Sequence, residues 1–499
     1  MAGAAGMKRG RVLAALMLTM MLAAMDIAIV ATALPQIVSD LGGFNKISWV
    51  FSIYLLAQTV TIPLYGKLAD LFGRKWVLVA GVAVFLAGSA ACAAAWSIGA
   101  LIAFRGLQGL GAGSIMATVN TIAGDIYTVE ERAAVQGWLS SVWGVSAIVG
   151  PALGGALVEY FNWRWIFLIN LPIGAVALFL LLRNFREHVV RVPVRIDYKG
   201  ALLITATLSL FFVFLLEGGQ SWPWRSVQSL VLLVAVALLA AWAVRVERRS
   251  PSAIMPAWVW RNRTMVFTNL AVAAMGIVMM GPDTYLPTFT QASLGLGVIA
   301  SGFVLASMSI GWPTASALSG KLYLRIGFRE TALVGSVLVL LASIAFLLIP
   351  APQPISLIVL DQVLIGAGFG LLFTPSLVGL QNMVAWEHRG VVTGANIFCR
   401  NLGQSLGAAV MGAIFNNVFL HRLAHAPPGA PGSTADVIRL IHDPATAAPV
   451  RTFLEEAINV SMRGAYGGMV VFAVLLFGLL YLVPHRSPND ETLVGPGRV

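Results

Sequence analysis

The residues of this chain whose chemistry stands out are ionisable side chains set inside apolar runs. Asp26 lies 14 residues into a run that begins near residue 12. At ~1.5 Å per residue this is roughly 20 Å into a hydrocarbon layer ~30 Å thick, past its middle. A carboxylate at that depth is costly unless it is paired, wetted or protonated, so the chemistry it offers is reversible loading of a proton. Permanent pairing with a basic group is the structural alternative. Arg105 lies roughly 10 Å inside the far edge of its run, and Arg400 near the centre of another. Arginine does not discharge, so each has to find a carboxylate, a carbonyl or water. For Arg400 the options are an aspartate partner or an anionic part of a bound molecule. Asp283, in GPDTYLPTF, and Asp361, beside Gln362, fall near the ends of their runs. Either would face a water-filled cavity, Asp283 attracting cations and Asp361 alternatively anchoring its helix.

Covalent and metal chemistry lack comparable support. Cys92 and Cys399 are the only cysteines and both fall in apolar runs. All six histidines, His188, His388, His421, His425, His442 and His485, fall in connecting segments or tails. The pair His421 and His425 has helical spacing, too few ligands for a site. The reading is therefore of a non-enzyme with no metal and no cofactor other than coupling protons. The formal charge of +11 does not imply nucleic acid, because the basic residues gather in alternate short connections, where they report orientation.

The elements that position these residues are long apolar helices. Hydrophobic residues make up 58% of the chain and charged ones 11%, and with a mean hydropathy of +0.85 the class is a polytopic helical membrane protein. Fourteen spans are expected, at about 12–35, 48–69, 75–95, 98–124, 133–157, 164–183, 198–217, 226–246, 264–290, 297–323, 330–349, 353–383, 390–416 and 466–484. The even number, with Lys8, Arg9 and Arg11 at the start and basic clusters in every second connection, places both termini in the cytoplasm of a cell's plasma (inner) membrane. A long outside loop is expected over 417–465, with RTFLEEAINVSM forming a short surface helix that leads into the last span. Lys8 to Arg11 and the run after them resemble a signal peptide but read as the first span.

The chain also repeats itself. GKLADLFGRK from Gly66 returns as GKLYLRIG from Gly320, 254 positions on. The glycines of RGLQGLGAG, at 109, 111 and 113, return in IGAGFG at 366, 368 and 370, and the same offset of 257 carries Gly137, Gly150 and Gly155 to Gly394, Gly407 and Gly412. The expected architecture is an all-α membrane protein: a six-helix bundle over 1–190, two inserted spans over 191–263, a second six-helix bundle over 264–484 in parallel repeat, and a tail over 485–499. In lipid, small residues let helix backbones touch, so Gly144, Gly150, Pro151, Gly154 and Gly155 mark a close-packed helix able to slide, with Pro151 bending it.

These motifs carry a family resemblance. GKLADLFGRK resembles the cytoplasmic signature of the major facilitator superfamily, VGPALGG resembles the fifth-span signature of its proton-coupled antiporters, and MDIAIVATALP resembles the first-helix signature of the fourteen-span drug:proton antiporter branch. Leu71 departs from the first pattern, which usually has a basic residue there, and Ala28 and Ala31 replace polar residues of the third. The resemblance implies proton-coupled multidrug efflux by alternating access, with Asp26 and Arg105 handling protons. It further implies a cytoplasmic latch of Gly66, Asp70, Gly73, Arg74 and Arg132, with the positive end of span thirteen near Gly390 as a further partner for Asp70. The expected substrates are amphipathic molecules, cationic or neutral and mostly apolar, entering from the cytoplasm or inner leaflet. Trp143, Met279, Met280, Tyr285 and Phe398 are candidate cavity-wall residues beside Asp283, Asp361 and Arg400. Membrane lipids are the other partners and a monomer the expected state. A lipid or glycolipid flippase on the same fold is the alternative reading.

Overall fold

A computed structural model of the protein describes residues 8–42, 46–187, 197–218, 222–250, 252–350, 353–427, 441 and 446–485. The helices are α1 (Arg9–Leu41), α2 (Ile47–Phe72), α3 (Arg74–Ala93), α4 (Ile98–Ile126), α5 (Val129–Tyr160), α6 (Trp165–Leu168), α7 (Asn170–Asn184), α8 (Tyr198–Glu217), α9 (Val227–Glu247), α10 (Ala257–Arg261), α11 (Arg263–Leu294), α12 (Val298–Ala306), α13 (Met308–Ile326), α14 (Phe328–Leu348), α15 (Ile355–Asn382), α16 (Arg389–Leu423) and α17 (Ala448–Tyr481). No β-strand occurs among the described residues, as befits a chain that must satisfy its backbone polar groups within each segment.

Thirteen stretches of the described chain are helical, long and apolar enough to cross a membrane. The span expected at 297–323 is instead built from α12 and α13, which meet at Ser307. That residue keeps helical dihedrals, and its Oγ turns back to the Val304 carbonyl at 2.6 Å. The region 417–465 also differs from expectation. α16 continues to Leu423, and α17 begins at Ala448 and runs unbroken into the last span, so RTFLEEAINVSM is not a separate surface helix. Val450, Leu454, Ala457, Ile458, Ser461 and Met462 explain why: they form one buried helical stripe that leads directly into the apolar segment. Residues 428–440 and 442–445 of that loop, and the tail from 486, lie outside the described residues, as do His188 and His442.

Two compact units divide the chain. One holds the residues up to Val266 together with Ser376–Phe398; the other holds Phe267–Pro375 and Cys399–His485. Helices α8 and α9, expected as two inserted spans, fall in the first unit, α8 packing on α2. The ends of α15 and α16 also belong to the first unit although their sequence lies in the second half, and the polar contacts described below account for it. Within this unit α4 lies against α2 and α3, and α5 against α1. α9 leaves Leu230, Val231, Leu238 and Trp242 exposed, an apolar face suited to hydrocarbon.

The repeat reappears in the backbone. Gly73 links α2 to α3 at φ +90° and Gly327 links α13 to α14 at φ +100°, a left-handed conformation that a side chain disfavours. The 254-residue echo thus preserves a one-residue turn between consecutive helices.

Candidate functional site

Asp26 and Arg105, the two residues that the family resemblance links, lie side by side in the first unit. α1 carries Asp26 and α4 carries Arg105, and both are buried, at 1% and 0% exposed. Arg105 Nη1 donates to Asp26 Oδ2 in a buried ion pair. The other carboxylate oxygen, Oδ1, accepts from Gln108 Nε2 at 2.7 Å and from Asn170 Nδ2 at 3.3 Å. Ser89 ties the shell together: its hydroxyl accepts from Asn170 at 3.0 Å and from Gln108 at 3.3 Å, and donates to the Phe167 carbonyl at 2.9 Å.

Arg105 has partners beyond the acid. Its Nε donates to the Val50 carbonyl at 3.2 Å, its Nη1 to Gln108 Oε1 at 2.8 Å, and its guanidinium lies 4.2 Å from the centre of the Tyr54 ring. A cation–π contact of this kind is strongest where water is excluded. The guanidinium therefore keeps two acceptors and an aromatic face if the acid loses its charge. Gln108, Asn170, Ser89 and Tyr54 were not among the residues singled out from the sequence. Only Gln108 carried a local signal, three positions from Arg105 on the same helix face.

The helix bearing VGPALGG packs on α1 beside this site. A Cβ at Gly150 would come within 2.6 Å of the Ala28 Cβ, and one at Gly154 would press on Thr32 and, at 3.1 Å, on the Ile29 carbonyl. Ala28 is thus small because Gly150 faces it. Gly155 departs from expectation: a Cβ there meets nothing within 4 Å, because it points away from α1. Gly144 is buried, while Pro151 is exposed and α5 continues through it as one helix.

At one end of the same unit lies a charge network. Asp70 Oδ1 accepts from the Gly390 N–H at 2.9 Å and Oδ2 from the Val391 N–H at 2.8 Å, where the positive end of α16 favours an acid. Arg74 Nη2 donates to Asp70 at 2.8 Å and to the Trp386 carbonyl at 2.5 Å, with its guanidinium 3.6 Å from the Trp386 ring centre. Its Nε also lies 3.1 Å from Asp125, which accepts from Arg389 Nη1 at 3.1 Å. Gly66 abuts Gly390, so no side chain fits between them. Gln381 adds a donor to the Asn120 carbonyl at 3.2 Å. Arg132, expected in the cluster, gives its Nε to the Tyr127 carbonyl at 3.1 Å. The acid that joins Arg74 to Arg389 is Asp125, near the end of α4.

The candidate cavity residues fall in different units. Trp143 and Phe398 belong to the first, Trp143 37% exposed and Phe398 buried. In the second, Tyr285 stacks on Phe415 with ring centres 4.3 Å apart, Gln404 donates to the Met279 sulfur at 3.3 Å, and Met280 lies against Gly407. Arg400 does not meet an aspartate: among the described residues its contacts are the Phe373 ring, 4.8 Å away, and Asn401 at 3.5 Å, and its Nε has no partner. Asp283 is partly buried, and no described residue donates to it. Asp361 is buried, with Tyr466 and Gln362 against it. His421 and His425 have ring centres 5.6 Å apart, and no third metal-ligating residue joins them among the described residues.

The comparisons with known proteins agree with this architecture. The Major Facilitator Superfamily model matches residues 16–408. Multidrug transporter protein MdtP of Bacillus subtilis is 34% identical over 411 residues, 82% of this chain and 76% of that protein. Multidrug resistance protein 3 of the same organism is 32% identical over 467 residues, 92% of this chain and 91% of that one. The crystal structure of the human organic anion transporter MFSD10 (TETRAN) superposes with a TM-score of 0.64 over 95% of this chain and 99% of its own, at 14% identity, and so shares the fold. With a family model and two relatives spanning most of its length, the chain belongs to the major facilitator superfamily and is a multi-pass membrane transporter, not an enzyme.

Proposed function

We propose that this transporter is a proton-coupled multidrug exporter of the fourteen-span antiporter branch, moving amphipathic cationic or neutral molecules by alternating access. Its place is the plasma membrane, with both termini in the cytoplasm, and it acts as a monomer. The names of the two bacillary relatives support the substrate class. The observation that carries the coupling is Asp26, a buried carboxylate paired with Arg105 and supplied with further donors by Gln108 and Asn170. Protonating Asp26 removes the charge attraction while Arg105 retains Val50, Gln108 and the Tyr54 ring. The neutral partners hold the guanidinium in place without compensating its charge, so each protonation of Asp26 works against the buried Arg105 and favours a change of its surroundings.

The network around Asp70 supplies the second moving part. It fastens the one-residue turn at Gly73 to the start of α16 through backbone hydrogen bonds and through Arg74 on Trp386. Its opening and closing would accompany the cycle.

The experiment is substrate-driven proton flux in proteoliposomes. Asp26→Asn is expected to keep the fold but abolish coupled export of a cationic dye, while wild type exports it only with an inward proton gradient. Normal gradient-dependent extrusion by Asp26→Asn sinks the proposal.

A further inference from the structure

The second unit contains a buried acid cluster that shares two repeat positions with the surroundings of Asp26. The offset of 257 that relates the glycine motifs carries Arg105 to Gln362 and Ser89 to Phe346, although the cluster's acid, Asp361, answers to Phe104 and the same offset carries Asp26 to Asp283. Asn170 and Tyr466 each stand on the last span of their own half. Where the first half sets Asp26 of α1 against Arg105 of α4, the second half places Asp361 and Gln362 side by side on α15 with Phe346 and Tyr466 against them, and no cation in the set.

The hydrogen bonds of this cluster leave a definite deficit. Asp361 is 4% exposed, and Gln362, Tyr466 and Phe346 are fully buried. The Tyr466 hydroxyl donates to Asp361 Oδ2 at 2.8 Å, and Gln362 Nε2 donates to the same oxygen at 3.0 Å and to the Tyr466 hydroxyl at 2.9 Å. Phe346 lies flat on Tyr466, ring centres 3.7 Å apart and planes 11° from parallel, which fixes the hydroxyl's direction. Every side-chain hydrogen of the set is used. Two acceptors remain buried without a partner, Asp361 Oδ1 and Gln362 Oε1. A proton on Asp361 would both supply a donor and remove an uncompensated charge from an apolar setting.

Among the described residues no Lys, Arg or His forms an ion pair with Asp361. Asp361 is the sole ionisable residue of α15, and α12 has none. On α17, Arg463 is engaged with the Leu347 and Ile349 carbonyls. On α11, which reaches the cluster through Phe289 on Phe346, the ionisable side chains are Arg263 at its start, Asp283 and Tyr285. The charged residues of α13 and α14, Lys321, Arg325, Arg329 and Glu330, lie at the ends that meet at Gly327.

We propose that Asp361 is a second proton-carrying site of this transporter, with Tyr466 and Gln362 as positioning residues. Its part in the transport cycle rests on the proton-coupled reading above; its ability to take up and release a proton does not.

Difference infrared spectroscopy on the full chain in liposomes, titrated with pH, tests it through the carbonyl stretch of a protonated carboxyl group. Besides a band from Asp26, which Asp26→Asn removes, a second titrating band is expected in wild type and in Asp26→Asn and missing from Asp361→Asn, with sodium at fixed pH leaving it unchanged. Asp361→Asn spectra identical to wild type overturn the proposal, as does a band present at every pH or one displaced by sodium. If Asp361→Asn does not fold, Tyr466→Phe keeps the ring stack and removes one donor. A moved band midpoint then supports the site, and an unmoved one counts against it. In flux measurements Asp361→Asn is expected to carry one proton fewer per substrate. If wild type moves no protons with substrate while the band still titrates, the coupled reading fails and the site stands.

Discussion

Asp70 bridges the second and third N–H groups of α16, holding Gly390 at 2.9 Å and Val391 at 2.8 Å. The same carboxylate holds the buried Arg74 guanidinium. One acid thus joins a turn in the first half of the chain to a helix start 320 positions away.

Removing that acid has two separable consequences. Asp70→Ala leaves Arg74 with Asp125 as its remaining acid and leaves two helix N–H groups without an acceptor. Losing one partner of a buried ion pair costs ~3–5 kcal/mol. Asp70→Asn keeps an acceptor oxygen for one N–H and loses the charge, so its cost is smaller. The expected order in thermal melting of the purified protein is wild type, then Asp70→Asn, then Asp70→Ala. Equal melting temperatures for all three would show that the network contributes nothing to stability.

Gly150 and Gly155 make a control pair on one helix. A Cβ at 150 would lie 2.6 Å from the Ala28 Cβ, whereas one at 155 has nothing within 4 Å. Gly155→Ala is expected to transport normally, with stability within about 0.5 kcal/mol of wild type. Gly150→Val pushes α5 off α1 beside Asp26 and is expected to lower transport at least roughly tenfold, a barrier change of ~1.4 kcal/mol. Dye export assays on matched membrane expression levels read both. Equal behaviour of the two variants would remove the packing argument.

The helices were legible because a hydrocarbon layer demands long apolar runs; depth singled out Asp26 and Arg105 one by one, and only the family resemblance linked the two. The neutral members of the site were not legible. Asn170 and Ser89 are common residues in spans, and only the packing of α3, α4 and α7 selects them. Asp125 was hidden for another reason: at a span end it reads as a solvated residue until Arg389 is brought to it from 264 positions away. The glycine signature was legible as a whole but not residue by residue, since the facing direction of Gly155 depends on where α1 lies.

Asp283 offers a test of substrate charge. Its carboxylate is partly buried on α11, and no described residue donates to it. Asp283→Asn preserves shape and removes the charge. Export of a monovalent cationic dye is expected to fall about tenfold, ~1.4 kcal/mol, while that of a neutral dye of similar size changes less than about twofold. Equal loss for both dyes would assign Asp283 to folding instead of steering.

Arg105 and Arg400 are both arginines inside spans, yet their surroundings give opposite expectations. Arg105 compensates Asp26, so Arg105→Leu strands a buried carboxylate at ~3–5 kcal/mol. Arg400 compensates no acid among the described residues: it rests on Phe373 and Asn401, and its Nε has no partner. Arg400→Leu therefore removes an under-satisfied guanidinium and strands nothing. The expected outcome in detergent melting is a large loss for Arg105→Leu and a loss below ~1 kcal/mol, or a gain, for Arg400→Leu. Adding Asp26→Asn should restore much of the stability of Arg105→Leu, because the stranded charge is then gone, and should leave the Arg400→Leu difference unchanged, since residues with no shared partner contribute additively. A loss for Arg400→Leu as large as that for Arg105→Leu would mean that the guanidinium is structurally required, and a retained arginine without a carboxylate would then need another explanation than contact with transported molecules.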